Sequence, residues 1–126
     1  MTIYLLEDDP VYADFIIKAL KVDPANQIRH YGTGEEFLKA VETKLPDVSL
    51  LDYKLPGMTG IEVFELIKPR IKSTNKVVLL SSLDDGNMVL NFIQRGVRDY
   101  VIKDENVVDS LMAIISGNED DYYMFS

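Results

Sequence analysis

The sequence contains no cysteine, which excludes disulfide bonds, thiolate metal sites and cysteine nucleophiles. It has a single histidine, His30, so one chain cannot build a metal site from several imidazoles. No apolar run approaches the roughly 18 residues that a membrane-spanning helix needs. No basic segment precedes the first apolar stretch, as it would in a signal peptide. We therefore expect a soluble domain in a reducing compartment, the cytoplasm.

Basic residues are outnumbered by acidic ones. The chain has 13 Lys and Arg and 21 Asp and Glu, which gives a formal net charge of −8. This balance argues against binding of nucleic acid or of an anionic membrane surface by residues 1–126, since both need basic patches. The length predicts one domain that can bury a real core. We place this domain at residues 1–117, and residues 118–126 as a tail or the start of a linker to a further domain.

Strand-length apolar runs alternate with segments of helical periodicity along the chain. Five strands are predicted, at Ile3–Leu6, Ile28–Tyr31, Val48–Leu51, Val77–Leu80 and Tyr100–Ile102. The nearly continuous apolar character of the first, third and fourth runs is typical of parallel strands buried on both faces. Five strand–helix repeats predict an α/β fold with right-handed crossovers. We expect the flavodoxin-like doubly wound (βα)5 arrangement, a five-stranded parallel sheet in the order 2-1-3-4-5.

Apolar residues at helical spacing follow the predicted strands. The pair Asp9-Pro10 predicts the N-cap and first turn of the first helix. The second helix is marked by apolar residues from Phe37 to Leu45. In the fourth helix we expect Met88, Phe92 and Ile93 to lie in the core.

Charged and hydroxyl side chains are concentrated where the predicted strands end. Glu7 and Asp8 follow the first strand, Asp52 the third, Ser81 the fourth and Lys103 the fifth. In a doubly wound sheet, ligands bind outside the carboxyl ends of the strands. We therefore expect these side chains to meet in one cleft.

Such a cluster of carboxylates has a specific chemistry. Carboxylates that lie close together repel each other, so they raise a pKa or require a cation. An all-oxygen set without imidazole or thiolate suits a hard cation such as Mg²⁺. A metal ion, an ammonium group and a hydroxyl around one further carboxylate are the components of phosphoryl transfer, with that carboxylate as the nucleophile.

Four segments of the chain carry recognisable motifs. The segment Leu5–Pro10 is an apolar run that ends in acidic residues, and Asp52–Gly60 has an Asp, hydrophobic-Pro and Met-polar-Gly pattern. Leu79–Ser82 is an apolar strand that ends in hydroxyl residues, and Gly96–Lys103 has a Gly-x-x-x-Tyr-hydrophobic-hydrophobic-Lys pattern. In these motifs and in their order the chain resembles the response-regulator receiver domains of two-component signalling, and the resemblance runs from about Thr2 to Ser116.

The resemblance implies a role for each member of the cluster. Asp52 would be the phosphoacceptor, and Asp8 would ligate Mg²⁺ directly. Glu7 would assist through water, and the backbone carbonyl of Lys54 would be a further ligand. Lys103 would pair with the phosphoryl oxygens.

The resemblance also implies a conformational switch. Ser81 would hydrogen-bond the phosphoryl group, and Tyr100 would be the aromatic residue coupled to it. The surface of the fourth helix, fifth strand and fifth helix would then change. The implied partners are a sensor histidine kinase or phosphotransfer protein, with a homodimer possible on phosphorylation. The chain would assist its own phosphorylation and dephosphorylation rather than act as an enzyme on other substrates.

Two other functions remain open at this point. The first is a receiver-like binding module that works without phosphorylation. The second is an enzyme, either a flavin protein or a phosphatase with an aspartate nucleophile. The sequence has no obvious hydroxyl-rich phosphate loop, which a flavin protein would need. A phosphatase of this type would need a second Asp two residues after the nucleophile, where this sequence has Lys54.

One position departs from the family pattern, and two further features are expected to be structural rather than functional. Asp104 follows Lys103, at a position where many receivers have proline. The family pattern therefore does not predict the geometry of the loop after the fifth strand. His30 is expected to be structural or exposed rather than catalytic. The segment Gly32–Gly34 lacks a full phosphate-loop pattern, so we expect a turn and a helix start.

Overall fold

The computed structural model describes residues 1–82 and 86–117, and places a five-stranded parallel sheet at the centre. The strands are β1 (Thr2–Leu6), β2 (Gln27–Tyr31), β3 (Val48–Asp52), β4 (Lys76–Ser81) and β5 (Asp99–Ile102). The helices are α1 (Pro10–Leu20), α2 (Gly34–Thr43), α3 (Gly60–Ile67), α4 (Gly86–Gln94) and α5 (Val107–Ile115). The strand order is β2-β1-β3-β4-β5, which confirms the predicted flavodoxin-like topology.

Side-chain caps determine where three of the helices begin. Asp9 accepts hydrogen bonds from the N–H groups of Val11 and Tyr12, which confirms it as the N-cap of α1. Thr33 and Thr59 each accept one N–H three residues later, at the starts of α2 and α3. The segment Gly32–Gly34 is therefore the turn and helix start that its sequence predicts.

Two expectations about the helices are wrong. Leu45 lies outside α2, which ends at Thr43, because Pro46 disfavours helical backbone at the residue before it. Ile93 is 59% exposed, whereas Phe92 is buried as expected. The side chain of Met88 and the whole of residues 118–126 lie outside the described part of the chain, so the predicted domain end at residue 117 stays a prediction.

The sheet separates two apolar cores. One core lies between the sheet and helices α1 and α5, and the other is formed mainly with α2, α3 and α4. Successive side chains of a strand point to opposite faces, so Leu5 and Leu50 belong to the first core while Leu6 and Leu51 belong to the second. This alternation decides which side chains meet beyond the strand ends. Within residues 1–82 and 86–117, no helix is long and apolar enough to cross a membrane.

Candidate functional site

Glu7, Asp52 and Lys103 meet at the carboxyl edge of the sheet, on the side of α1 and α5. Each lies two residues after a buried residue of the core on that side, so the strand alternation turns all three the same way. The three buried residues are Leu5, Leu50 and Val101. Backbone hydrogen bonds continue past the strand ends, since Glu7 N–H donates to Tyr31 O and Lys103 N–H to Ser81 O. The sheet therefore holds these groups on rigid backbone.

The ammonium group of Lys103 joins two buried carboxylates. Its Nζ lies 3.0 Å from Oδ1 of Asp52 and 3.0 Å from Oε2 of Glu7. Glu7 is 1% exposed and Asp52 is 5% exposed. One cation thus serves two acids that have little access to water, which leaves an excess of negative charge in the cleft.

This charge distribution shifts two pKa values. Burial raises the pKa of Glu7 to about 7, and the hydrogen bond and negative charge of Asp52 add to the rise, against the effect of Lys103. Burial lowers the pKa of Lys103, but its hydrogen bonds to Asp52 and Glu7 outweigh this effect and the pKa is raised overall. Near neutral pH the cleft therefore contains a charged Lys103 ammonium and a Glu7 carboxyl that is only partly ionised.

Asp8 adds an exposed carboxylate to the cluster. Oxygen atoms of Glu7, Asp8 and Asp52 all lie within 4.8 Å of one another. With all three acids ionised and Lys103 charged, the cluster carries a net charge of −2, which matches a divalent cation. The oxygen-only donor set and the opening to solvent at Asp8 fit Mg²⁺, which keeps several of its waters.

The loop after Asp52 is closed by backbone contacts. Lys54 forms an isolated antiparallel bridge with Thr59, and Gly60 N–H donates to Tyr53 O at 2.8 Å. A Cβ atom on Gly60 would lie 2.3 Å from the carbonyl oxygen of Asp52. Glycine therefore permits α3 to begin directly against the end of β3, and this contact fixes the backbone of Asp52.

Ser81 and Tyr100 lie on the opposite face of the sheet from Lys103. Leu79 pairs with Tyr100 in the β4–β5 register, and Ser81 follows Leu79 by two residues. The half-buried ring of Tyr100 packs against Phe92 of α4 at a centroid distance of 5.5 Å. Phe92 also contacts Tyr53 at 5.2 Å. An aromatic row thus connects β5, through α4, to the residue next to Asp52.

Sequence reasoning did not identify Tyr12 as part of the site. Lys103 Nζ lies 4.5 Å from the centre of the Tyr12 ring, a cation–π distance. The Tyr12 hydroxyl is buried and has no hydrogen-bond partner in the described ranges. The position of Tyr12 in the first turns of α1 carries no sequence signal for this contact, because the contact depends on how α1 packs at the carboxyl edge of the sheet.

Asp104 organises the loop that follows Lys103. Its N–H donates to Ile102 O at 2.9 Å, a bond that proline could not make. Its side chain accepts from the N–H of Asn106 at 2.9 Å. No cis peptide bond occurs in residues 1–82 or 86–117, so the bond between Lys103 and Asp104 is trans.

His30 is exposed, and its Nε2 lies 2.7 Å from the carbonyl oxygen of Glu7. This contact joins the end of β2 to the backbone of the acidic site. The imidazole is directed to a backbone carbonyl, so the structure gives His30 a structural position, as expected.

Comparison with known proteins places this site in a family. The model of the response regulator receiver domain matches residues 3–116. "Probable transcriptional regulatory protein NarL" of Mycobacterium tuberculosis H37Rv is 28% identical over 110 residues, which cover 86% of this chain and 50% of that protein. "DNA-binding response regulator MtrA" of Mycolicibacterium smegmatis is 32% identical over 122 residues, which cover 94% of this chain and 52% of that protein. The chain thus spans about half the length of these relatives.

A solved structure shows the same fold with a related sequence. The response regulator protein TrrA from Thermotoga maritima, solved in complex with Mg²⁺ and a beryllium fluoride, is 25% identical to this chain. The alignment covers 92% of this chain and 96% of that one, with a TM-score of 0.78.

Proposed function

The chain belongs to the response regulator receiver domain family, and on this premise we propose that Asp52 is its phosphoacceptor. The observation that carries the proposal is the setting of the Asp52 carboxylate. It is nearly buried at the carboxyl end of β3, lies 3.0 Å from the Lys103 ammonium, and has Glu7 and Asp8 beside it. A carboxylate held in this way is a positioned nucleophile with a cation at the place where charge develops.

The proposed reaction transfers a phosphoryl group to Asp52. A carboxylate oxygen attacks phosphorus, and the new O–P bond forms as the bond to the leaving nitrogen or oxygen breaks and the leaving group keeps that electron pair. The donor is a phosphohistidine of a sensor kinase or phosphotransfer protein, or a small acyl phosphate. Lys103 remains protonated and contributes its positive charge to the transferred oxygens.

Glu7, Asp8 and Asp52, with the backbone carbonyl of Lys54, are the groups proposed to hold Mg²⁺. The bound ion would supply countercharge to the phosphoryl oxygens. Because the pKa of Glu7 is raised to about 7, binding of the cation is coupled to the loss of the proton of Glu7. Phosphorylation would then add negative charge against Lys103.

The proposed readout of phosphorylation is the surface of α4, β5 and α5. The hydroxyl of Ser81 is assigned the contact with the phosphoryl group beyond the strand ends, although Ser81 lies on the face of the sheet opposite Lys103. Tyr100 lies on the same face as Ser81 and responds to that contact. The contact between Tyr100 and Phe92 supports this coupling, since a movement of the Tyr100 ring has to change the packing of α4. The effector or partner that reads this surface is either joined to the receiver or separate from it.

Phosphorylation of Asp52 is tested with acetyl phosphate and Mg²⁺, followed by intact-protein mass spectrometry. We expect a gain of one phosphoryl group that requires Mg²⁺ and is absent in Asp52→Asn. Asp14→Asn is the matched control, because Asp14 is an exposed carboxylate on α1 that pairs with Lys18. This control should be phosphorylated like the unmodified chain.

The same experiment distinguishes the alternatives. A gain of mass that persists in Asp52→Asn contradicts the assignment of the phosphoacceptor. No gain with any donor, together with no Mg²⁺-dependent change in amide chemical shifts at the acidic cluster, would instead favour a binding module that works without phosphorylation. Shifts in α4 and β5 on addition of beryllium fluoride, absent in Asp52→Asn, would support the proposed readout.

A further inference from the structure

A cavity of about 480 Å³ lies at the amino-terminal edge of β4 and β5. Asp52, Ser81 and Lys103 lie at the carboxyl edge of the same sheet, and none of them lines this cavity. Its walls come from the end of α3, the segment that leads to β4, and the turn before β5. The volume is in the range of small-molecule sites, roughly 300–1,000 Å³.

The lining of the cavity is basic in a chain that is acidic overall. Lys68, Lys72, Lys76 and Arg98 line it, with Asp99 as the acidic residue of the lining. The whole chain has 13 basic and 21 acidic residues, so this balance is the reverse of the average. A concave surface that gathers one sign of charge raises the local concentration of the opposite ion.

Two of the four cations neutralise helix ends at the rim. Lys68 Nζ donates to Arg95 O at 3.1 Å, just after α4, and Lys76 Nζ donates to Ile114 O at 2.5 Å in the last turn of α5. Carbonyl groups at the end of a helix carry partial negative charge that repels anions. With Lys68 and Lys76 engaged there, these helix ends no longer oppose an anion in the cavity.

The other two cations remain available. Lys72 and Arg98 are exposed, and neither side chain has an ion-pair or hydrogen-bond partner in the part of the chain that the structure describes. An arginine fork and an ammonium group together match a phosphate dianion in charge and hydrogen-bond donors. Phe64, Ile71 and Val77 supply an apolar wall beside them.

From this combination we propose that the cavity binds a small organic phosphate monoester with a planar apolar body, the chemistry of a nucleoside monophosphate. The phosphate lies between Lys72 and Arg98, and the planar body lies against Phe64 and Ile71. This site is separate from the acidic cleft and does not depend on phosphorylation of Asp52. It therefore gives the domain a second input at the opposite edge of β4 and β5.

The test is a titration of the full chain with adenosine 5′-monophosphate in metal-free buffer, followed by amide chemical shifts. We expect saturable shifts at Val77, Gly96 and Arg98, without comparable shifts at Asp52. Adenosine 5′-monophosphate should bind at least about tenfold more tightly than adenosine or inorganic phosphate. Adenosine lacks the phosphate that Lys72 and Arg98 would bind, and inorganic phosphate lacks the planar body that would pack against the apolar wall.

Variants make the proposal falsifiable. The double change Lys72→Gln with Arg98→Gln should weaken binding by about tenfold or more, because it removes both charge-assisted contacts. Lys39→Gln, an exposed lysine of α2 away from the cavity, should leave binding unchanged. The proposal is overturned by the absence of saturable shifts, by equal binding in the double variant, or by shifts centred on the acidic cleft. Circular dichroism confirms that each variant is folded.

Discussion

The ammonium nitrogen of Lys103 lies 4.5 Å from the centre of the Tyr12 ring. The same ring carries a buried hydroxyl for which the described ranges offer no hydrogen-bond partner. Tyr12 therefore combines a favourable contact with an unfavourable one. The cation–π contact is worth about 0.5–2 kcal/mol, and burial of an unpaired hydroxyl costs about 1–3 kcal/mol.

These two effects can be separated by substitution of Tyr12. Tyr12→Phe keeps the ring under Lys103 and removes the hydroxyl, so the free energy of unfolding should rise by about 1 kcal/mol. Tyr12→Leu removes both the ring and the hydroxyl. Its free energy of unfolding should be about 1–2 kcal/mol lower than that of Tyr12→Phe, because the cation–π contact and the packing of the ring are lost. Urea denaturation in metal-free buffer measures both. A Phe variant less stable than the unmodified chain would contradict the description of this hydroxyl.

Removal of the Lys103 charge should be costly for the fold. Lys103→Met leaves Glu7 and Asp52 buried without a counterion, and the loss of one partner from a buried pair costs about 3–5 kcal/mol. Lys18→Met is the matched control, since its ion pair with Asp14 is 2.9 Å long but exposed. Exposed pairs contribute about 0–1 kcal/mol. Equal losses in the two variants, measured by urea denaturation, would contradict the importance of burial at Lys103.

The raised pKa of Glu7 predicts how stability depends on pH. In metal-free protein, Glu7 keeps its proton up to a pKa of about 7, whereas its ordinary value is 4.5. The folded state therefore binds more protons across this interval, and the free energy of unfolding falls as the pH rises. The contribution is fully present below pH 4.5 and lost above about pH 7. This contribution is on the order of 3 kcal/mol.

Glu7→Gln isolates this contribution, because the side-chain amide does not titrate in this pH range and can still donate a hydrogen bond to Asp52. The stability of the variant should exceed that of the unmodified chain above pH 7, and the difference should shrink toward pH 4.5. Urea denaturation across this range with a chelator provides the measurement. Curves that stay parallel for the two proteins would show that Glu7 does not titrate in this interval.

Sequence patterns predicted the sheet and the meeting of acids at its edge for clear physical reasons. Buried parallel strands are continuous apolar runs, and the strand order brings the ends of β1 and β3 together. The pairing of Lys103 with Glu7 was not predictable, since it depends on side-chain distances across two strands. The exposure of Ile93 also could not be predicted from the sequence, because Phe92 and Ile93 fit the helical period equally well. The packing of Phe92 between Tyr53 and Tyr100 shows which of the two side chains faces the core.

Phe92 and Ile93 therefore provide a matched pair of substitutions. Phe92→Ala should lower the free energy of unfolding by about 3–5 kcal/mol, because it leaves a cavity between Tyr53 and Tyr100. Ile93→Ala should change it by about 0.5 kcal/mol or less, since this side chain is 59% exposed. Thermal or urea denaturation compares them directly. A larger loss at Ile93 would indicate that α4 turns its other face to the core.

Gly60 gives the most direct test of how the backbone holds Asp52. A methyl group at this position would lie 2.3 Å from the Asp52 carbonyl oxygen, so α3 and the end of β3 cannot both stay in place. Gly60→Ala should therefore cost about 1–3 kcal/mol, as overpacking does, and should slow Mg²⁺-dependent phosphorylation by acetyl phosphate. Gly32→Ala is the control, because nothing lies within 4 Å of its added methyl. A Gly60→Ala protein that is as stable and as readily phosphorylated as Gly32→Ala would show that close approach of α3 does not position Asp52.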